Sequence, residues 1–262
     1  MLLAIDIGNS NVVFGLFENE KLCITWRIVT PSHTTKDQLK LTLAGLFQLS
    51  HFQINQVHGS IISSVVPNMN EPFTSVCEEL FAVPPLMVGP GVKTGISILY
   101  ENPREVGADR IVNAVAAYHD YQQTTIVVDF GTATTFDVVS DKGEYLGGII
   151  TPGIGISMEA LFSRTAKLPR IEFAKPQKVI GKTTNHSIQS GMYFGYVGMV
   201  DALVQNIKTE IQKPHAPVIA TGGWAESISK DSKTIQKVDN HLTLVGLRLI
   251  YEKNSGNHES SR

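Results

Sequence analysis

Cysteine is scarce in this chain, with two residues, Cys23 and Cys77, among 262. Two thiols cannot frame a disulfide-stapled scaffold or a four-cysteine zinc site, and both stand in apolar surroundings, which reads as buried thiols in a reducing compartment. Charge is sparse as well. Charged residues make up 18% of the chain, and 22 basic against 24 acidic side chains leave a net charge of −2. The electrostatic footprint of a nucleic-acid or anionic-membrane binder is therefore missing. Long apolar runs are missing too: stretches such as Ile61–Val66 fall far short of the roughly 18 residues that a membrane helix needs. The apolar N-terminus is interrupted by Asp6 with no basic residues ahead of it, which argues against a secretory signal. The eight histidines are scattered without metal-ligand spacing. These absences lead us to expect a cytoplasmic protein with neither nucleic acid nor membrane as partner.

What is present is a globular composition with 42% hydrophobic residues and an internal rhythm. Leu2–Ile7, Val12–Phe17 and Leu22–Val29 read as three strands in quick succession, the first closed by the turn Gly8-Asn9-Ser10-Asn11 and the last two joined by a hairpin at Glu18-Asn19-Glu20. A helix follows over Thr35–Leu49, with Leu39, Leu43, Leu46 and Phe47 near a 3.6-residue period. Val57–Val66 reads as a buried strand. Asn68 or Asn70 offers an N-cap for a helix reaching Phe81, and Leu86–Val88 is a short strand. After a Gly/Pro-rich loop, Pro103 suits the first turn of a helix to about Tyr121. The pattern then restarts with strands over Thr125–Phe130, Thr135–Val139 and Tyr145–Ile150. Shifting Asp6 onto Asp129 also lays Gly8 on Gly131 and Glu18 on Asp141. We read this as duplication of one β-β-β-α-β-α-β-α unit, with halves 1–120 and 121–253 and a polar tail 254–262. Further on, helices are expected over Ile154–Phe162, Ser187–Ile211 and Leu242–Tyr251, and a short strand at Val218–Ala220.

Three segments carry candidate chemistry. Asp6-Ile7-Gly8-Asn9-Ser10-Asn11 places a carboxylate at the end of a buried strand, then a glycine turn with hydroxyl and amide side chains. Such a turn lets backbone N–H groups approach phosphate oxygens. Asp6 repels phosphate, so its use would be to orient Mg²⁺ or its water shell; a plain hairpin turn with an Asx cap fits the same residues. Asp129-Phe130-Gly131-Thr132-Ala133-Thr134 repeats the pattern in the second half. Two such turns, one per repeat, resemble the phosphate clamp of the acetate-kinase, sugar-kinase, chaperone and actin superfamily, and Thr221-Gly222-Gly223 resembles its adenosine motif. Gly107-Ala108-Asp109-Arg110 sets a carboxylate beside a guanidinium inside an expected helix. The pair suits a proton acceptor with an anion holder, or a solvated ion pair on a helix face. Gly181-Lys182-Thr183 ends like a Walker A loop but has Pro176 where the first glycine belongs. Asp137 either lines the cleft or caps a turn.

Taken together, Asp6 to Asn11 with Gly15, Trp26-Arg27-Ile28, Val106 to Arg110, Val128 to Thr134 and Gly147-Gly148-Ile149 resemble type III pantothenate kinases in order and spacing over nearly the whole chain. Ser10 departs from the usual Thr and keeps the hydroxyl. The resemblance implies an α/β fold of duplicated ribonuclease H-like (actin-like ATPase) domains, each a mixed five-stranded sheet with flanking helices. It implies ATP-dependent phosphorylation of the primary hydroxyl of pantothenate, the first step toward coenzyme A. Residue by residue, Asp6, Ile7, Gly8, Asn9, Ser10, Asn11, Val12, Val13 and Thr132 would bind ATP. Asp109 would be the catalytic base, and Tyr100, Gly107, Ala108, Asp109 and Arg110 would hold pantothenate, with Arg110 facing its carboxylate. Asp129 would bind a monovalent cation, K⁺ or NH₄⁺, and Asp6 would hold Mg²⁺ through water. Thr184, in the loop before the long helix, would be a substrate contact supplied across a homodimer. The alternative is a non-catalytic relative that uses the same cleft as a regulatory or binding module.

Overall fold

In the computed structural model, which describes residues 1–256, the first apolar run forms β1 (Leu2–Ile7), and β2 (Asn11–Glu18) and β3 (Lys21–Val29) fold back beside it. Both pairings are antiparallel. Asn19 makes the β2–β3 turn at φ 53°, a left-handed conformation that asparagine tolerates. Helix α1 (Lys36–Leu49) starts at a capping box, in which Thr35 Oγ1 accepts from Gln38 N and Gln38 Oε1 accepts from Thr35 N at 3.0 Å. A 3-10 turn, Ile54–Gln56, leads into β4 (Gly59–Ser64), parallel to β1. Then come α2 (Pro67–Phe81), β5 (Leu86–Met87), β6 (Ser97–Ile98), a second 3-10 turn at Pro103–Glu105, and α3 (Ala108–Tyr121). The pattern restarts with β7 (Thr125–Phe130), β8 (Ala133–Val139), β9 (Glu144–Pro152) and α4 (Ile154–Ser163). It continues through α5 (Thr184–Glu210), β10 (Val218–Gly222), α6 (Ala225–Ser229), β11 (Lys237–Val238) and α7 (Leu242–Ser255).

The chain forms two units, Met1–Ala116 with α7, and Ala117–His241. The first has a sheet ordered β3-β2-β1-β4-β5, and the strands of the second run β9-β8-β7-β10-β11. The two orders are equivalent, with β10 parallel to β7 as β4 is to β1. Even the register shift recurs, at Leu16/Phe17 on β2 and at Val138/Val139 on β8. This shared strand order is a stronger sign of repetition than the few identical residues.

Alternation along the strands assigns each sheet face. In the first unit Leu3, Ile5, Ile7, Val12, Phe14 and Ile62 meet α1 and α2 through Leu43, Phe47, Phe73 and Val76. The opposite face, with Ala4, Phe17 and Ile61, packs against Val112 and Val115 of α3 and Leu244, Leu247 and Ile250 of α7. In the second unit Ile126, Val128, Phe130, Phe136 and Val138 pack on Tyr193, Val197, Val200 and Val204 of α5. Cys77 is fully buried, and its burial pushes the thiol up to about 12. Cys23, expected to be buried, is only partly so, because β3 is an edge strand.

Several boundaries differ from the sequence reading. Helix α2 begins at Pro67 rather than after an Asn cap, since proline at N1 lacks the N–H that a cap would satisfy. Pro103 opens only the 3-10 turn; Val106 returns to extended backbone, and α3 starts at Ala108. Helix α5 starts at Thr184, capped by Thr183, whose Oγ1 accepts from His186 N at 3.2 Å. Thr184 is thus the first helical residue instead of a loop residue. The division between units falls after Ala116, inside α3. Helix α7 packs in the first unit although it follows the second in sequence. Asn254 and Ser255 of the expected tail belong to α7, and Asn254 accepts from Lys93 N and donates to Lys93 O. Residues 257–262 of that tail lie outside the described residues. No helix among the described residues is long and apolar enough to cross a membrane.

Candidate active site

In the first unit the turn after β1 is closed by its own backbone, with Gly8 N–H donating to Asn11 O at 3.0 Å. Thr30, just beyond β3, clamps it twice. Its Oγ1 donates to Gly8 O at 2.6 Å, and its N–H donates to Ser10 O at 3.0 Å. Asn9 and Ser10 are exposed at the tip. Ile7 and Val12 are fully buried among the α1 and α2 side chains. Only their backbones can therefore serve a ligand. Asp6 and Val13 pair across the strands and share the opposite face, the one covered by α3 and α7.

Helix α3 brings its first turn to the same end of the sheet. Val65, which follows β4, donates its N–H to Ile7 O at 3.0 Å. An added Cβ on Gly107 would lie 3.7 Å from Val65 Cγ1 and 2.5 Å from Asp109 Oδ1. Gly107 is therefore glycine for room beside the Asp109 carboxylate. Asp109 Oδ1 accepts the Arg110 N–H at 2.8 Å. Burial raises the Asp109 pKa above the ordinary carboxylate range, against the opposing pull of that N–H and of the Arg110 charge. Asp109 and Arg110 stand in the first turn of α3, where backbone N–H groups are unpaired by the helix itself and favour negative charge nearby. Arg110 is 7% exposed. Tyr100 stands well exposed ahead of the 3-10 turn, which Asn102 caps by accepting from Arg104 N at 3.3 Å.

In the second unit Asp129 ends β7, flanked in register by Thr135 on β8 and Thr221 on β10. Gly222 takes φ +90°, and a Cβ there would fall 2.6 Å from Asp129 Oδ1 and 2.7 Å from Phe130 N. Gly223 N–H donates to Phe130 O at 3.1 Å, tying the two turns together. The Gly131-Thr132 turn is held from the α4 side, where Gly153 N–H donates to Thr132 O at 3.2 Å. Asp137 is fully buried and accepts from Tyr145 OH at 2.7 Å and Thr135 Oγ1 at 3.0 Å. It caps no turn. Thr184 lines a groove at the start of α5 with Leu161, Leu168, Gly181 and Met192.

Asp6 and Val13 thus share the first-unit face that α3 covers, and Gly107 at the start of α3 lies by Val65, beside the end of β1, while Asp129 and Gly222 meet at one end of the second unit, next to the Thr132 turn. Residues that sequence reasoning passed over are Thr30, Gly153 and Ser63. The last lay in the Val57–Val66 run, where two adjacent serines at a strand end were the available signal. Among the described residues no three or more His, Cys, Asp or Glu side chains gather as a metal cage. A divalent ion at the Asp6 turn would therefore take most of its ligands from phosphate and water, a habit that suits Mg²⁺.

A mixed sheet of this order, once in each unit, is the fold of the actin-like ATPases and sugar kinases. MreB 5 of Spiroplasma citri, solved with AMPPNP bound, shares the fold at a TM-score of 0.56 and 10% identity, covering 100% of this chain and 98% of that one. A Baf family transcriptional activator from Campylobacter jejuni does so at a TM-score of 0.59 and 19% identity, covering 97% and 99%. At such identities the likeness is one of fold alone. The chain belongs to the type III pantothenate kinase family, whose sequence profile matches residues 2–206. The type III pantothenate kinase of Myxococcus xanthus is 52% identical over 254 residues, covering 97% of this chain and 99% of that protein.

Proposed function

We propose that the chain transfers the γ-phosphoryl group of ATP to the primary hydroxyl of pantothenate, giving 4'-phosphopantothenate and ADP at the entrance to coenzyme A biosynthesis. The observation that carries this reading is the Gly107–Arg110 segment in a chain of this family, with Asp109 shielded at the start of α3 beside the Asp6 strand end. Its raised pKa makes Asp109 a stronger base than a free carboxylate. Asp109 accepts the hydroxyl proton. The freed oxygen bonds to the γ-phosphorus as the bond to the β–γ bridging oxygen breaks, and that electron pair leaves with ADP. Arg110 pairs with the pantothenate carboxylate, and Tyr100, Gly107 and Ala108 complete its pocket. The backbone of Asp6 to Val13 holds the phosphates, and Thr132 is a nucleotide contact of the second unit.

Asp6 would hold Mg²⁺ through water, and Asp129, with Gly222 leaving its carboxylate room, would hold K⁺ or NH₄⁺; these ions supply neutralisation of phosphate charge, which a chain with few clustered cations does not. Thr184 completes the pantothenate site from a second copy of the chain. Exposed Ile156, Leu161, Val179 and Ile180 in the second unit support such a homodimer. The setting we propose is the cytoplasm.

The test is an ATP-coupled assay on pantothenate, with and without K⁺, for wild type and Asp109→Asn. Asp109→Asn is expected to lower kcat by about 10²–10⁴-fold, the usual contribution of a general base. Full turnover in that variant would remove Asp109 as the base, and absence of K⁺-dependent turnover by the wild type would overturn the kinase reading.

A further inference from the structure

One side chain in the first unit has no role in the scheme above yet stands within its site. Ser63 is fully buried, and its Oγ finds no hydrogen-bond partner among the described residues. A buried hydroxyl left unpaired costs about 1–3 kcal/mol, so native structures keep very few of them. Ser64, its neighbour, shows the usual arrangement: Ser64 Oγ accepts from Val66 N at 3.1 Å and donates to Val66 O at 3.3 Å.

The position of the unpaired group is specific. Strands β1 and β4 are parallel, and Ser63 is the direct register partner of Asp6. The two side chains therefore point to the same face, one strand spacing apart, about 4.8 Å. That face is the one covered by α3 and α7, as Ala4 and Ile61 two residues earlier on each strand show. Both residues stand at the carboxyl ends of their strands, where ligands bind in open sheets of parallel α/β type. The first turn of α2 also carries a second buried oxygen without a partner among the described residues, Asn70 Oδ1. Val65, two residues beyond Ser63, is the side chain nearest Gly107 after Asp109 itself.

We propose that Ser63 is a further nucleotide-site residue, whose hydroxyl donates to an oxygen of the ATP–divalent cation unit held over Asp6. That oxygen belongs either to a phosphate or to a water of the cation. The nucleotide is favoured over the alcohol substrate because Ser63 is the direct register partner of Asp6. The inference rests on the kinase reading and adds a residue to it.

The test uses the full chain and calorimetric titration, with melting of the ligand-free protein as a second readout. Ser63→Ala removes a hydroxyl that has no partner in the free protein, so its ligand-free Tm should equal or exceed that of wild type. Its affinity for ATP with Mg²⁺ should weaken about ten-fold or more, the loss expected for one hydrogen bond to a charged group. A deficit that persists with ATP in EDTA assigns the hydroxyl to a phosphate; a deficit confined to Mg²⁺ assigns it to a cation-bound water. Pantothenate affinity should not change. Ser64→Ala is the control, with a lowered ligand-free Tm and unchanged ATP affinity. Wild-type ATP affinity in Ser63→Ala, or a loss confined to pantothenate, overturns the assignment. Failure of the wild type itself to bind ATP would instead overturn the kinase reading.

Discussion

Gly153→Ala tests how the Gly131-Thr132 turn, the proposed second phosphate contact, is held. Gly153 has φ −73° and ψ 162°, a backbone that any residue adopts, so the substitution brings no conformational strain of its own. Space alone decides. The new methyl carbon would lie 2.2 Å from Thr132 O, 2.7 Å from Gly131 O and 2.8 Å from the Thr132 carbonyl carbon. All three are backbone atoms, so no side chain can swing aside, and the Gly131-Thr132 turn must part from the start of α4 by about 1 Å, a displacement able to cost about 10²-fold in rate. The hydrogen bond from Gly153 N to Thr132 O lengthens with it. Overpacking of this kind lowers stability by about 1–3 kcal/mol, which leaves a normal domain folded. The assay is steady-state turnover with ATP varied at saturating pantothenate, alongside urea unfolding. We expect kcat/KM for ATP to fall about 10²-fold. Gly155→Ala, whose added carbon meets no described atom within 4 Å, should keep wild-type kinetics and gain about 0.5–1 kcal/mol of helix stability. A folded Gly153→Ala protein with wild-type kcat/KM for ATP would refute the argument that Thr132 positions the nucleotide.

Other outcomes follow from the same geometry. Asp109 holds its proton to higher pH in the native chain than in the unfolded one, so stability falls as pH rises through that window; Asp109→Asn should raise Tm at neutral pH while lowering kcat by about 10²–10⁴-fold, read by calorimetry and the coupled assay. The acid limb of the pH profile of kcat/KM should lie above the ordinary carboxylate range, because the base is lost as pH falls through the raised value. Gly222→Ala places a carbon 2.6 Å from Asp129 Oδ1 at φ +90°, costing about 1–3 kcal/mol. It should raise the K⁺ concentration needed for half-activation, whereas Gly223→Ala, open for 4 Å around, should not. Tyr145→Phe removes a 2.7 Å donor from buried Asp137 and should lower stability by about 1–3 kcal/mol in urea titrations.

Local chemistry made much of the fold readable. The strands β1 to β3 and β7 to β9 announce themselves by apolar runs broken at Gly8, Asn19, Gly131 and Gly143, and the ends of β1 and β7 carry the candidate carboxylates Asp6 and Asp129. What escaped was whatever depends on distant partners. Pro103 is a good helix start by its own properties, yet the chain returns to extended backbone at Val106 before Ala108 begins α3. Helix α7 reads as the end of the second half, but Leu244 fits against Gly15, where a Cβ would come within 2.9 Å of it. Ser63 looks like one more residue of a buried strand until the register sets it beside Asp6. Ile7 and Val12 fall within the Asp6–Val13 turn, and only the packing shows that their side chains serve the core.

The central claim is most directly tested by following products: ATP, Mg²⁺, K⁺ and pantothenate are incubated with the wild-type chain, and ADP and the pantothenate species are quantified by mass spectrometry. The account predicts 4'-phosphopantothenate and ADP forming in equal amounts. ADP formed without phosphorylated pantothenate, or no conversion by a folded chain that binds both ligands, would contradict it.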